Sequence, residues 1–218
     1  MEVDRYKNPK NFIQATPQEY NDILNNYRVV LGEYQFKRCL FAQKYLYPEK
    51  WHEIYSFAFS REPTERCLSM FHYLFWKKSG VFGHLAQILS LAVSHKKFIC
   101  STSYAFDVFL DFVHKARFSN SIYHPISNHF TTHTAAMFDD ITDSNGVILL
   151  SSIHRMEALT SGLNSAFEAC GFPKRITSND LKINGNKSKK KYSPNQLQRK
   201  KIQMIYERDF EIYENAKH

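Results

Sequence analysis

The chain has 218 residues, 43% hydrophobic and 15% aromatic, with 18 Phe and 13 Tyr. That is enough apolar material for one domain with a sizeable core, and it excludes a largely disordered chain. A net charge of +8 points to an anionic partner: a nucleotide, a nucleic acid, a phosphorylated or sulfated glycan, or an acidic membrane surface.

A helix is expected over 17–30, opened by Thr16-Pro17, with Tyr20, Ile23, Leu24 and Tyr27 on one face. Residues 34–47 read as a second, basic helix. Ile54 to Phe59 is a short aromatic-rich run and reads as a buried strand, stopped at Arg61-Glu62-Pro63. A helix starts at Pro63, where the missing N–H costs nothing, with Cys67, Leu68, Phe71, Leu74 and Phe75 on its apolar stripe. A short helix is expected at 84–94. Another follows at 103–116, with Ser103 as N-cap and Phe106, Phe109, Leu110 and Val113 inward. The His-rich, aromatic segment 118–135 reads as a loop.

Gly146 to Ile153 is the second strand. The helix 156–169 turns Leu159, Leu163 and Phe167 inward and ends at Gly171. Residues 173–192 form a flexible basic loop. Ser193-Pro194 opens the last helix, with Leu197, Ile202, Ile205, Tyr206 and Tyr213 on its buried side. Strands alternating with helices predict an α/β fold, a single domain built on a central parallel sheet flanked by helices.

The four cysteines, Cys39, Cys67, Cys100 and Cys170, form no CxxC pair, and Cys67 and Cys170 fall on apolar helix faces. A reducing compartment is the simpler reading, with two long-range disulfides left open. No run of about 18 apolar residues is present, and the opening MEVDRYKNPK has no apolar leader core. The chain as written is expected to be soluble and cytoplasmic.

Chemistry concentrates in FAFSREPTERCLSMF, residues 57–71. A buried strand running into a helix offers first-turn N–H groups and the positive end of a macrodipole to an anion. Arg61, at the strand exit, can fork onto a phosphate, and Ser69 can add a hydroxyl. A surface arginine and a neutral helix serine are the plain alternative.

This segment closely resembles the 3′-phosphate-binding motif of sulfotransferases, above all the Golgi carbohydrate O-sulfotransferases of heparan, chondroitin and dermatan type and their bacterial relatives. Arg61, Pro63, Arg66 and Ser69 all fall in register with it. The resemblance extends over about residues 30 to 216. His129-Phe130 with His133 looks like a divergent H-f-x-p-Q element. Ile153, Arg155, Glu157 and Leu159 match a strand-and-turn element, whose usual Asp, Gly and Asn are here Ser151, His154 and Ala158. Asn186 to Tyr192 resembles the basic loop that closes over the nucleotide. Tyr206, Asp209 and Tyr213 match the closing helix.

The resemblance implies a P-loop-like sulfotransferase fold and transfer of a sulfuryl group from 3′-phosphoadenylyl sulfate to a hydroxyl acceptor of the carbohydrate class. It implies Arg61 and Ser69 on the 3′-phosphate, Arg66 supporting the turn or the adenosine side, and Lys189, Lys190 and Lys191 closing the site. As a truncated eukaryotic member the chain would belong to the Golgi lumen.

The family's opening strand and P-K-T-type loop, which wraps the 5′-phosphosulfate, is not evident; Pro9-Lys10 with Thr16 is the one candidate. The catalytic base is open, with His52 and Lys10 as candidates and an exposed helix-end histidine as the plain reading of the former. Lys37 and Lys44 sit where relatives keep acceptor-side residues, or on a solvated helix face. Glu62 replaces the usual Asn and would repel an anion unless it caps the helix. His124, His129 and His133 lack the partners of a metal set, and no metal is expected. No GxxxxGK[ST] or GxSxG motif is present. Two rival functions remain: a degenerate module that binds nucleotide or anionic glycan without turnover, and a basic nucleic-acid-binding protein using Lys187 to Lys191.

Overall fold

The computed structural model describes residues 37–76, 102–118, 130, 133–181 and 192–217. The expected helices at 17–30 and 84–94 lie outside the described residues. The chain divides into two compact units: Met1–Arg61 with Ala135–Lys182 and Glu211–His218, and Glu62–Thr134 with Ile183–Phe210.

The first unit is built on a parallel pair, which gives the chain its α/β character. Strand β1 (Phe57–Ser60) runs beside β2 (Ser152–Arg155), with Phe57 opposite Ser152 and Ser60 opposite Arg155. The backbone of Lys217 extends the pairing: its N–H donates to the Ile153 carbonyl and its carbonyl accepts from the Arg155 N–H, both at 2.9 Å. The second strand lies further along the chain than the 146–153 expected from its apolar run. Val147 and Ile148 are exposed instead. Asp143 explains the shift: its carboxylate accepts the N–H groups of Asn145 and Val147, and Gly146 takes φ 81°, so a tight turn occupies this stretch. Ile148 joins only an isolated antiparallel bridge to Thr142. A short apolar run has no periodicity to mark where a strand begins.

Helix α1 (Arg38–Phe41) continues as a π-helical turn over Ala42–Leu46 and buries Leu40, Phe41 and Ala42. Arg38 ties it to Asp140, by Nε to Oδ1 at 2.9 Å and by an ion pair through Nη2. After β2, a 3-10 turn (Met156–Ala158) leads into a helix over Leu159–Ala169. Its buried positions are Gly162 and Ala166, whereas Leu159, Leu163 and Phe167 are half-buried. The backbone at Gly162 lies close to the sheet: a Cβ there would come within 2.7 Å of Phe59 Cε1 and 2.9 Å of His154 Cβ and Cγ. Small residues therefore take the central line and the large ones flank it.

Gly171 ends this helix as expected, at φ 67°. Its N–H donates to the Glu168 carbonyl, and Phe172 N–H donates to the Phe167 carbonyl. The rings of Phe167 and Phe172 meet at 5.2 Å, completing a Schellman motif with its apolar contact. Cys170 is the C-cap residue and is exposed, so it does not lie on a buried face.

The second unit packs three helices. Helix α2 (Pro63–Phe71), continued by a π-helical turn over His72–Trp76, and α3 (Thr102–Phe118) both pack against α4 (Gln196–Ile205). Cys67, Leu68, Phe71 and Leu74 are buried, as are Phe106, Phe109, Leu110 and Val113, in accord with the helical spacing. Phe71 meets Phe106 edge-on at 5.1 Å and Phe109 at 5.6 Å. At α4 the reading from sequence needs correction. Leu197 is 77% exposed, and the inward line is Gln198, Ile202 and Ile205. Gln198 can be buried because every part of its amide is used: Nε2 donates to Ser103 and Asp107, and Oε1 accepts from the Tyr192 hydroxyl and the Asn195 N–H. With Asn195 it also forms a capping box, so α4 starts at Gln196. The expected single last helix is two: the backbone breaks at Tyr206 (φ −122°, ψ 30°) before α5 (Glu207–Asn215).

Candidate functional site

The chain leaves β1 through Arg61 and Glu62 and enters α2 at Pro63, which sits at N1. Glu62 is the N-cap. Its carboxylate accepts the Glu65 N–H at 2.7 Å, and its carbonyl accepts the Arg66 N–H at 2.9 Å. Proline presets the first turn and Glu62 takes the Glu65 N–H, so the local sequence fixes the helix start. The expectation of open first-turn amides for an anion is revised for one of them, the Glu65 N–H. A carboxylate already meets the positive end of the helix. Arg61 is half-buried, and Ser69 is exposed on α2.

Arg66, in register with the same motif, is engaged inside the second unit. Its Nη1 donates to Asp209 Oδ2 at 2.9 Å, and its guanidinium lies over the Tyr206 ring at 5.6 Å. Arg117 stacks on that ring too, at 5.4 Å. The Tyr206 hydroxyl donates to the Thr134 carbonyl at 2.8 Å. Burial pushes this phenol far above its ordinary range, so it stays a donor. Tyr206 and Asp209, noticed in the sequence only as members of a downstream element, are thus the partners of Arg66. Their spacing within the chain gives no hint of that, because the pairing joins residues 143 positions apart.

In the first unit, Arg155 holds the end of the C-terminal helix. Nε donates to the Tyr213 carbonyl at 3.0 Å, Nη2 to the Glu214 carbonyl at 2.9 Å, and the guanidinium lies 4.7 Å from the Tyr213 ring. His154 stands where the resembling families carry glycine. It is 2% exposed, packs on Phe59 at 5.7 Å, and shares a 3.0 Å hydrogen bond between Nε2 and Ser152 Oγ. Tyr55 donates its hydroxyl to that same Oγ at 2.8 Å. Burial, with a contribution from Lys217, lowers the His154 pKa. Gly162 supplies the space that the imidazole fills. Sequence reading recorded His154 only as a departure; this relay of Tyr55, Ser152 and His154 was not anticipated. Ser151, in place of the usual Asp, pairs with Ser56: its N–H donates to the Ser56 carbonyl at 2.8 Å, and its Oγ accepts the Ser56 N–H at 3.1 Å.

His52 is exposed in the turn before β1. Lys37 donates to the Asp143 carbonyl at 3.0 Å, and Lys44 is exposed on the π-helical turn. His133 meets Tyr73, ring to ring, at 5.1 Å. Lys10, His124, His129, Lys189, Lys190 and Lys191 lie outside the described residues. Among the described residues, no group of three or more His, Cys, Asp or Glu could hold a metal ion, and no helix is long and apolar enough to cross a membrane.

No curated protein and no solved structure matches the chain. The sequence profile of the sulfotransferase family does, over residues 8–215. That span takes in the parallel strand pair, the Arg61–Ser69 segment and the helices that follow, and the chain belongs to the sulfotransferase family, whose members transfer sulfuryl groups.

Proposed function

We propose that this protein transfers a sulfuryl group from 3′-phosphoadenylyl sulfate to a hydroxyl of a carbohydrate. One observation carries the reading: Arg61 directly after β1, Pro63 at N1 of α2 and Ser69 exposed on that helix keep the spacing of a 3′-phosphate motif. The donor set suits a phosphate. A guanidinium offers parallel N–H groups in a fixed fork, and a hydroxyl adds one more donor. Glu62 does not oppose this role, because its carboxylate is committed to the Glu65 amide.

In this reading Arg61 and Ser69 hold the 3′-phosphate, and Lys189, Lys190 and Lys191 add positive charge around the nucleotide. The bound donor supplies an activated sulfuryl group and a phosphate leaving group. The protein's share is to align the acceptor hydroxyl for in-line attack and to neutralise charge on the leaving oxygen. A base must take the acceptor's proton, and His52 is the candidate; Lys10 is the candidate for the leaving oxygen.

Calorimetry with 3′-phosphoadenosine 5′-phosphate, the donor's product, tests the site. Arg61→Ala should weaken binding about tenfold or more, the loss expected for charge-assisted hydrogen bonds. Binding that is absent in the wild type, or unchanged in the variant, overturns the reading. A labelled sulfate-transfer assay against a glycan panel then tests the acceptor class. Tight product binding with no transfer to any hydroxyl would mark a binding module instead.

A further inference from the structure

We infer that Asp209 is a positioning residue for the donor site, acting through Arg66 to fix the setting of α2 and hence of the Ser69 hydroxyl. This rests on the reading of Ser69 as a 3′-phosphate ligand. Asp209 is a carboxylate with a 4% exposed side chain, and it accepts from Arg66 Nη1 at 2.9 Å. The same guanidinium lies on the Tyr206 ring, which is itself fixed by its hydroxyl on the Thr134 carbonyl. Arg66 is thus held by charge at one edge and by an aromatic face at the other, which defines its direction as well as its distance.

Arg66 and Ser69 are three residues apart on α2, so they are neighbours on its surface. Rotating the helix to loosen Arg66 turns Ser69 with it. The apolar stripe of Cys67, Leu68 and Phe71 limits how deep α2 sits, but interchangeable apolar contacts specify rotation less sharply than a directional ion pair does. Asp209 is suited to this work and not to holding the ligand, because a carboxylate would repel a phosphate. The inference also gives Arg66 a different task from touching the adenosine: it transmits the position of Asp209 to the helix.

A double-mutant cycle tests this, read by calorimetry with 3′-phosphoadenosine 5′-phosphate and by donor KM and kcat. Ser69→Ala and Asp209→Asn should each weaken product binding about tenfold and raise donor KM more than they lower kcat. The double variant should be no weaker than the worse single, since Asp209 has nothing left to place once the hydroxyl is gone. Asp209→Glu should recover part of the affinity. Asp111→Asn, which breaks the surface pair with Lys201 on the same unit, should leave affinity unchanged. Additive losses in the double variant overturn the inference, as does Asp209→Asn with unchanged or tighter binding, the result expected if Arg66 were held back from the ligand. If Ser69→Ala alone leaves product affinity intact, the donor-site reading fails first and the inference with it. Should Asp209→Asn not fold, Arg66→Lys takes its place in the cycle, with the same non-additive result expected and additivity again overturning the inference.

Discussion

Replacing Gly162 with alanine should destabilise the first unit, although alanine is the better helix former. The added Cβ would stand 2.7 Å from Phe59 Cε1 and 2.9 Å from both Cβ and Cγ of His154, where ordinary contact begins at 3.4 Å. None of these is the loose end of a long side chain. Phe59 and His154 face each other across the β1–β2 pair, and His154 is further held by Ser152. The methyl group can enter only if the helix lifts or both rings shift. Overpacking of this kind costs about 1–3 kcal/mol, and three contacts below the normal limit place it near the upper end. Helix propensity returns about 1 kcal/mol. The net loss should be about 2 kcal/mol. Urea unfolding, followed by circular dichroism and by fluorescence, reads it as a lower midpoint at unchanged slope. Gly162→Ala combined with His154→Ala should lose less than the two singles added, because the close contact with His154 Cγ disappears while that with Cβ remains. A neutral or stabilising Gly162→Ala would refute the close approach of this helix to the sheet.

Stability should also fall with acid. His154 has a folded pKa below its ordinary value, so near pH 6.5 the unfolded chain binds more protons; stability is full above that pH and declines toward the folded pKa. His72, lowered by its own burial, acts in the same direction, so His154→Gln should flatten, not abolish, the slope of urea midpoints between about pH 7.5 and 5. An unchanged slope in that variant would contradict the buried neutral imidazole. Thiol labelling mapped by mass spectrometry should separate the cysteines: exposed Cys170 reacts in the native protein, while Cys67, buried and pushed up to about 12, reacts only on unfolding. Equal labelling of the two would contradict the packing of α2.

Local signals in the sequence determined the elements they encode. Pro63 fixed a helix start, Gly171 a helix end, and the spacing of Phe106, Phe109, Leu110 and Val113 a buried face, because each depends on backbone geometry or periodicity within a few residues. The strand and helix that carry the segment from Phe57 to Ser69 were legible for the same reason. Strand, turn and helix are continuous in the chain, and the phosphate-binding roles of Arg61 and Ser69 are what the family resemblance implies for residues at that spacing.

Tertiary structure decided what depends on partners distant in sequence. Val147 to Leu150 has strand composition, but Asp143 and Gly146 claim that stretch for a turn and the sheet begins at Ser152. Leu197 has the apolarity of a core residue, yet the polar Gln198 is buried because Ser103, Asp107 and Tyr192 satisfy it. Arg66 was expected from the family resemblance to support the turn or the adenosine side, and only folding brings Asp209 to it. A side chain's chemistry is written in the sequence, but its desolvation and its charge partner exist only once the chain has folded, and those settle whether it packs, pairs or stays open to a ligand.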